Sequence, residues 1–268
     1  MRRVVPLVAC AFACAGCDIV FGIDRLAPPA DAAPCSTPIG HDEDHDGLDD
    51  SCDPCPFDAD NAHDADGDGI GDACDPDPGA PDEVVVFSGF DAATRSQFTV
   101  TDGEFGSDAY RATGVGDASL IWNGDPDGTW LVAGFDVESL EDTSYREVGL
   151  VFDAAVNESN QLNGTLCVLG RDSNQNGYVE VFGRQRPDGD IPVNHTDVEL
   201  PLETFHGVVR ASYRRGGLPA VSCSFSAGDD SEATITGTRD TPPARGALAL
   251  YAMDTTVSFR FLFVVRRR

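Results

Sequence analysis

Residues 83–268 alternate between hydrophobic and polar positions over short stretches, which are separated by turns rich in glycine, aspartate and asparagine. This pattern is typical of short antiparallel strands that bury one face. The last stretch, Thr256–Val265, has large apolar residues at every second position, so we expect them to share one face against a core. These residues are Val257, Phe259, Phe261, Phe263 and Val265.

The alternation predicts strands over most of this region, and no stretch has the apolar periodicity of an amphipathic helix. The predicted strands are Val84–Phe87, Gln97–Thr101, Ala109–Ala112, Ser119–Trp122, Trp130–Val137, Arg146–Phe152, Thr165–Leu169, Tyr178–Phe182, Gly207–Tyr213, Ala220–Phe225, Ala233–Thr238, Ala247–Tyr251 and Thr256–Val265. So many short strands predict an all-β fold, an antiparallel two-sheet sandwich. Val221, Cys223 and Phe225 share a face, so Cys223 should point inward, where a bridge to Cys167 would cross-link two strands.

Residues 35–80 follow a different pattern, with very few core-forming side chains. They carry a twelve-residue motif twice, in Asp42–Asp53 and Asp64–Asp75, with the copies 22 residues apart. Both copies read D-x-D-x-D-G-[LI]-x-D-x-C-D, and such a repeat predicts stacked units of one architecture. Because this segment cannot bury enough apolar surface to fold by itself, metal ions and disulfides must stabilise it.

The motif offers the ligands that a hard cation prefers. Carboxylates at positions 1, 3 and 5 can surround an ion, glycine at position 6 permits a sharp turn, and residue 7 offers its backbone carbonyl. Ca²⁺ takes six to eight such oxygens at about 2.3–2.6 Å. With the acids at positions 9 and 12, the predicted calcium ligands are Asp42, Asp44, Asp46, Leu48, Asp50, Asp53, Asp64, Asp66, Asp68, Ile70, Asp72 and Asp75. The loops are not EF-hands, since Asp replaces Glu at position 12 and no helical pattern flanks them; an acidic, disordered linker is the alternative.

The cysteine at position 11 and the Cys55-Pro56 pair point to a family. The segment from Cys35 to Pro78 resembles thrombospondin type 3 repeats, which also occur in bacterial cell-surface proteins. The resemblance implies calcium ions wrapped by the Asp-rich loops. It also implies disulfides between consecutive cysteines, which pairs Cys35 with Cys52 and Cys55 with Cys74. A Cys₄ zinc site fits poorly, because a second close cysteine pair is missing and the neighbouring ligands are hard oxygens.

Pieces of the region 83–268 resemble the concanavalin A-like jelly-roll superfamily, which includes laminin G-like domains and the C-terminal domain of thrombospondins. These pieces are Glu147–Phe152, Asn176–Phe182, the hairpin Phe205–Phe225, and the closing strands that begin at Gly246. The resemblance implies a jelly-roll-type sandwich behind the repeats. Within it, Asp172–Gly177 echoes a calcium loop but also fits a hairpin turn. Trp122 and Trp130 suit either a sugar-binding surface or the core.

The N-terminus has the pattern of an export signal. Arg2 and Arg3 precede the short apolar run Val4–Ala15, which is too short to span a bilayer. Its end, Cys14-Ala-Gly-Cys17, resembles a bacterial lipoprotein signal, which implies a signal peptide (1–16), lipid on Cys17 and a tether (17–34). Ordinary signal-peptide cleavage is the alternative. We expect an exported protein, lipid-anchored to the bacterial cell envelope, with the outer membrane or cell surface favoured.

Charge and missing motifs narrow the function. The net charge is −28, and residues 41–82 hold 16 of the 46 acidic residues and no basic one, which excludes nucleic acid as a partner. The chain has no E-x-D-x-x-E, G-x-S-x-G or H-E-x-x-H motif, so we expect no enzyme. We predict a non-catalytic calcium-binding lipoprotein whose Ca²⁺-stiffened spacer presents a β-sandwich recognition or adhesion domain to a surface glycan or protein. The alternative is a carbohydrate-binding module or a degenerate glycan hydrolase.

Overall fold

The computed structural model describes most of the chain after Pro38. The described residues are 38, 40–59, 63–113, 116–140, 145–158, 161–185, 189–199, 204–216, 220–227, 231–239 and 245–268. The predicted signal peptide, the tether, the lipidation site Cys17 and one partner of the predicted bridge Cys35–Cys52 lie outside these residues. These predictions therefore stay predictions.

Strands make up most of the described chain. Their bounds are β1 Asp82–Ser88, β2 Phe98–Val100, β3 Glu104–Phe105, β4 Tyr110–Ala112, β5 Asp117–Trp122, β6 Thr129–Leu140, β7 Arg146–Val156, β8 Leu162–Arg171, β9 Gly177–Gln185, β10 Gly189–Val198, β11 Phe205–Arg214, β12 Ala220–Ala227, β13 Ser231–Thr238, β14 Ala247–Met253 and β15 Thr255–Arg267. A 3₁₀ turn, Arg95–Gln97, precedes β2. Among the described residues, no helix is long and apolar enough to cross a bilayer.

The strands pair into two antiparallel sheets that face each other. The first sheet has the order β13-β12-β11-β6-β15-β4-β3, and β1 pairs with β15 beside this path. The second has the order β10-β9-β8-β7-β14-β5-β2. The predicted all-β, antiparallel sandwich is confirmed, and each predicted strand is present. β3 and β10 were not predicted.

The main core lies between the two sheets and is built from aromatic and aliphatic side chains such as Phe135 and Phe152. Cys167 of β8 and Cys223 of β12 are both buried in it. Their disulfide joins the second sheet to the first, with the Cα atoms 6.6 Å apart. The predicted inward direction of Cys223 and its bridge to Cys167 are therefore confirmed.

A β-bulge in β15 changes the face on which its later residues lie. The register of β15 against β6 shifts between Phe259 and Phe261, so Arg260 is an extra residue in the ladder and the alternation turns over. Val257 and Phe259, before the bulge, point into the core. The apolar residues that follow it on the outer face are Phe261, Phe263 and Val265. The prediction that all five share one face is wrong, because a period-two pattern does not register a bulge.

The outer apolar patch of β15 carries the repeat segment. Phe57 stacks on Phe261, with ring centroids 5.1 Å apart and planes 8° from parallel, and lies 5.4 Å from the ring of Phe263. Ile70 is 1% exposed and belongs to the same apolar cluster as the predicted disulfide Cys55–Cys74, which the structure confirms. The described part of the repeat segment thus packs onto the first sheet, a contact that was not predicted from the sequence.

The first acidic loop also contacts the sandwich directly. Arg260, the residue inserted by the bulge, forms a 2.8 Å ion pair with Glu43 of the first loop. Gly89 lies so close to the ring of His41 that a Cβ at this position would come within 2.9 Å of it. The sandwich therefore contacts the loops through both apolar and charged side chains.

Candidate functional site

Three carboxylates converge in each acidic loop. In the first loop they belong to Asp42, Asp44 and Asp46, and one oxygen from each lies within 4.8 Å of the others. In the second loop the carboxylates at the same positions, 1, 3 and 5, converge in the same way and belong to Asp64, Asp66 and Asp68. The structure therefore brings together the predicted ligands at positions 1, 3 and 5 of both copies. Oxygens at this spacing can share one cation.

The two loops share the same turn. The N–H of Gly47 donates to Oδ2 of Asp42 at 3.1 Å, and the N–H of Gly69 donates to Oδ2 of Asp64 at 3.0 Å. Both glycines have positive φ, 96° and 95°, which side chains rarely tolerate. The role predicted for the glycine at position 6, a sharp turn, is confirmed.

The aspartates at position 9 close the loops. Oδ1 of Asp50 and of Asp72 accepts the backbone N–H of the residue seven positions earlier, at 2.9 and 2.8 Å. Oδ2 of Asp50 contacts the ring of His41, and Oδ2 of Asp72 lies 2.6 Å from the ring of His63. Both carboxylates were predicted as ligands; in the structure all four of their oxygens hold the ends of the loops together.

Positions 7 and 12 complete each loop. The backbone N–H of Leu48 and of Ile70 donates to the carboxylate at position 5, at 2.7 and 2.8 Å, which orients the carbonyl-bearing residue beside the triplet. At position 12, Oδ1 of Asp53 and of Asp75 accepts the N–H two residues later, at 2.8 and 2.7 Å. These side chains therefore cap the turn that follows each loop.

Several carboxylate oxygens here are buried yet accept no hydrogen bond within the described residues: Asp42 Oδ1, Asp44 Oδ2, Asp66 Oδ2, Asp75 Oδ2 and Asp82 Oδ2. Buried polar atoms nearly always have a partner, and each unpaired one costs about 1–3 kcal/mol. Burial raises the pKa of Asp44 and of Asp75, and the negative charge of neighbouring carboxylates adds to the rise. A donor set of clustered, unpaired carboxylate oxygens fits Ca²⁺.

A second candidate site is a groove on the outer face of the second sheet. Glu147 and Tyr178 alternate along their strands with core residues, so they point away from the core into a cavity of about 640 Å³. Glu147 is 6% exposed; its Oε1 accepts the hydroxyl of Tyr178 at 2.9 Å, whereas its Oε2 accepts no hydrogen bond in the described part of the chain. Burial raises the pKa of Glu147 to about 7, although the charge of Arg184 opposes the rise.

Arg184 organises the floor of this groove. Its buried guanidinium donates to the hydroxyl of Tyr251 at 2.8 Å and pairs with Asp117 and Asp190 at 3.3 and 3.2 Å. The rings of Phe182 and Tyr251 lie 5.3 Å from it. Charged and aromatic partners on several strands therefore fix this cation in place.

Neither Asp82 nor this groove was predicted from the sequence. Asp82 lies outside both copies of the twelve-residue motif, so the repeat gave no signal for it. Glu147 carried a weak signal, as an acid inside the otherwise apolar strand Glu147–Phe152. Arg184 had none, because two of its partners, Asp117 and Tyr251, come from strands that are distant in the chain.

Three other sequence hypotheses have clear positions in the structure. Asp172–Gly177 is the turn between β8 and β9, where Oδ1 of Asp172 accepts the N–H groups of residues 174 and 176, each at 2.8 Å. Trp122 is buried in the main core, and Trp130 packs against Phe263 of the outer patch. A larger cavity, about 950 Å³, lies beside Trp130, and no carboxylate is among its described lining residues.

No protein-family model matches the chain, and no curated protein matches it. Several solved structures are similar in fold. The carbohydrate-binding module CBM66 from Bacillus subtilis covers 61% of this chain and 92% of its own, at 11% identity and a TM-score of 0.42. A Bacillus subtilis protein of unknown function with a galectin-like fold covers 71% and 98%, at 13% identity and a TM-score of 0.47. Peanut lectin covers 68% and 97%, at 9% identity and a TM-score of 0.47. At these identities and TM-scores, the similarities carry no argument about what this chain binds.

Proposed function

We propose that the protein binds calcium through its two acidic loops and that the ions hold the repeat segment rigid against the β-sandwich. The observation that carries this proposal is the pair of carboxylate triplets in Asp42–Asp46 and Asp64–Asp68, which lie beside buried oxygens that lack a hydrogen-bond donor. Like charges at this spacing repel one another, and a divalent cation between them removes the repulsion and supplies the missing partner.

Calcium in this proposal acts on the whole molecule because the loops are packed on the first sheet. Phe57 and Ile70 anchor the segment in the outer apolar patch, and Arg260 pairs with Glu43. Ordering the loops therefore also orders the surface that they cover. The repeats form a calcium-stiffened part of the recognition domain, and no catalytic step is assigned to them.

Calorimetric titration of the chelator-treated, exported protein tests calcium binding. We expect Ca²⁺ to bind with a Kd on the order of 10⁻⁴ M, the range of extracellular modules. Asp42→Asn/Asp44→Asn should remove the ions of the first loop, and Asp64→Asn/Asp66→Asn those of the second. Glu232→Gln, which removes an exposed acid from β13, is the matched control and should keep them all.

Limited proteolysis gives a second measurement. With Ca²⁺ bound, residues 42–75 should resist cleavage, and chelation should expose them because the carboxylates then repel. Absence of binding heat together with equal cleavage in Ca²⁺ and in chelator would overturn the proposed function.

The proposal places the protein in the bacterial cell envelope, anchored through lipid on Cys17. Its support is the sequence Cys14-Ala-Gly-Cys17 after a short apolar run. Cys17→Ser should move the protein from the membrane fraction to the soluble fraction, whereas Cys10→Ser, within the signal, should leave it membrane-bound. Unchanged membrane fractionation of Cys17→Ser would contradict the anchor.

Glycan binding in the groove of the second sheet is the second candidate function. The observation that favours it is the buried carboxylate of Glu147, whose Oε2 accepts no hydrogen bond within the described residues and lies 3.8 Å from the guanidinium of Arg184. Glu147 lines the same cavity as Tyr145, which is half exposed. A sugar offers hydroxyl donors for the Glu147 carboxylate and an apolar ring face for Tyr145. The nearby carboxylates of Glu180 and Asp197 repel anionic glycans, so neutral glycans are favoured.

A glycan array probed with the calcium-loaded protein tests this second function. Tyr145→Ala should abolish any signal from neutral glycans, and Tyr145→Phe should retain it because the ring remains. Turnover of a bound polysaccharide would show a hydrolase instead of a binding module, and a blank array would remove the glycan hypothesis.

A further inference from the structure

Asp82, the first residue of β1, has a buried carboxylate whose charge the sandwich compensates only in part. It is 4% exposed, and its Oδ2 accepts no hydrogen bond among the described residues. The backbone N–H of Arg268 donates to the carboxylate, and Arg267 stands opposite in the β1–β15 ladder. These contacts reduce the cost of burying the charge but leave one oxygen without a partner.

The backbone of Asp82 contacts the second acidic loop. The backbone N–H of Asp82 donates to Oδ2 of Asp68 at 2.5 Å, so the start of β1 lies directly on the position 5 ligand. The carboxylate triplet of the second loop therefore lies against the first residue of the sandwich.

Three carboxylate oxygens in and beside the second loop lack a hydrogen-bond donor among the described residues. Oδ2 of Asp66, of Asp75 and of Asp82 are each buried without a donor. Asp66 and Asp75 belong to the repeat, whereas Asp82 belongs to the sandwich. The first strand of the sandwich thus places a buried acid beside the second loop, and one oxygen of that acid has no hydrogen-bond donor among the described residues.

We propose that Asp82 is a ligand of the calcium ion in the second loop, so that this ion bridges the repeat segment and strand β1 of the sandwich. The inference rests on the proposed calcium function and adds to it: the ion pins the first strand and, through the β1–β15 pairing, the strand that carries the outer apolar patch. Binding at this loop and stability of the sandwich are then thermodynamically linked.

The test compares Asp82→Asn with Glu83→Gln, a matched control on the neighbouring, exposed side chain of β1. Calorimetry on the exported protein should show that Asp82→Asn weakens one class of Ca²⁺ sites by about tenfold, through loss of a charged ligand, and leaves the other class unchanged. Glu83→Gln should match the wild type in both classes.

Thermal unfolding gives a readout whose sign distinguishes a ligand from a structural residue. In chelator, Asp82→Asn should unfold at a higher temperature than the wild type, because it removes one charge from the crowded cluster. In saturating Ca²⁺ the difference between the two midpoints should shrink or change sign, because the ion stabilises the variant less than it stabilises the wild type. A merely structural Asp82 would shift both midpoints equally.

The outcomes separate the two proposals. Calcium binding by the wild type with the same affinities in Asp82→Asn would overturn the role of Asp82 and leave the loops as calcium sites. No calcium binding by the wild type would overturn both. If Asp82→Asn fails to fold, Asp82→Glu replaces it in the test, because it keeps the charge on a longer side chain. Asp82→Glu should still bind Ca²⁺ in two classes of sites, with a changed affinity in the class that belongs to the second loop. Unchanged affinities in both classes would also count against the bridge.

Discussion

The groove of the second sheet makes a quantitative prediction about pH. Glu147 is buried beside Tyr178 and Arg184, and burial raises the pKa of its carboxyl to about 7 from an ordinary value near 4.5. Between these two values the folded protein holds a proton that the unfolded chain releases. The stability that this proton provides is complete below the unfolded pKa and is lost as the pH rises through the folded pKa.

The size of the effect follows from the shift. One pKa unit corresponds to about 1.4 kcal/mol, and because Glu147 is almost fully buried no discount for solvent screening applies. Ionising Glu147 should therefore lower the free energy of unfolding by about 2.5 kcal/mol between about pH 5 and about pH 8. Glu147→Gln, which cannot ionise and keeps the oxygen that accepts from Tyr178, should lack this loss.

The assay is urea unfolding of both proteins at the two pH values, in saturating Ca²⁺ so that the acidic loops stay constant. The free-energy difference between Glu147→Gln and the wild type should grow by about 2.5 kcal/mol as the pH rises from about 5 to about 8. Glu232→Gln, which removes an exposed acid, should show no such growth. If Glu147→Gln and the wild type kept parallel pH profiles, Glu147 would be ionised at little cost in the fold, and the reasoning from its burial would be refuted.

Three further predictions concern stability. Phe57→Ala should lower the free energy of unfolding by about 2 kcal/mol, which is less than for a fully buried ring because Phe57 is half-buried. Phe57→Leu should lower the free energy of unfolding by a smaller amount. Urea unfolding in Ca²⁺ measures both variants, and an unchanged midpoint would contradict packing of the repeat on the sheet. Replacing Cys167 and Cys223 together by Ser should lower the free energy of unfolding by about 4 kcal/mol, because their bridge closes a loop of 56 residues. Urea unfolding under non-reducing conditions measures this loss of stability. A loss near zero would show that the bridge does not restrain the unfolded chain. Asp153→Asn should lower the free energy of unfolding by about 3 kcal/mol, because the buried Asp153 carboxylate is ion-paired with Arg215. Equal thermal midpoints for the variant and the wild type would contradict this prediction.

Strand prediction succeeded for strands with one buried face and also for strands buried on both faces, such as β7, because both kinds carry apolar residues in a recognisable pattern. β12 shows why: its alternating burial follows the alternating residue types that the sequence displays. β10 was missed because it is an edge strand whose side chains are nearly all exposed, so it has no apolar face to detect. β3 was missed because two residues are too few to show any period.

The candidate sites divide in a similar way. The carboxylate triplets were visible in the sequence because their residues are two apart in one short loop, so local geometry alone brings them together. Asp82, Glu147 and Arg184 were not, because each gains its partners from segments far away in the chain. The packing of Phe57 on Phe261 was hidden for a further reason, since it depends on a bulge that the alternation does not record.

By itself, the sequence determined which stretches become strands, where the two acidic loops lie, and that Cys223 points inward. Local periodicity and side-chain chemistry are enough for these features, because each depends on residues close together in the chain. Only the tertiary structure decided that the repeats lie on the first sheet, that the backbone of Asp82 contacts the second loop, and that Glu147 is buried in a groove. These features depend on strand register and on contacts between distant segments, which exist only once the two sheets and the repeat segment have packed together.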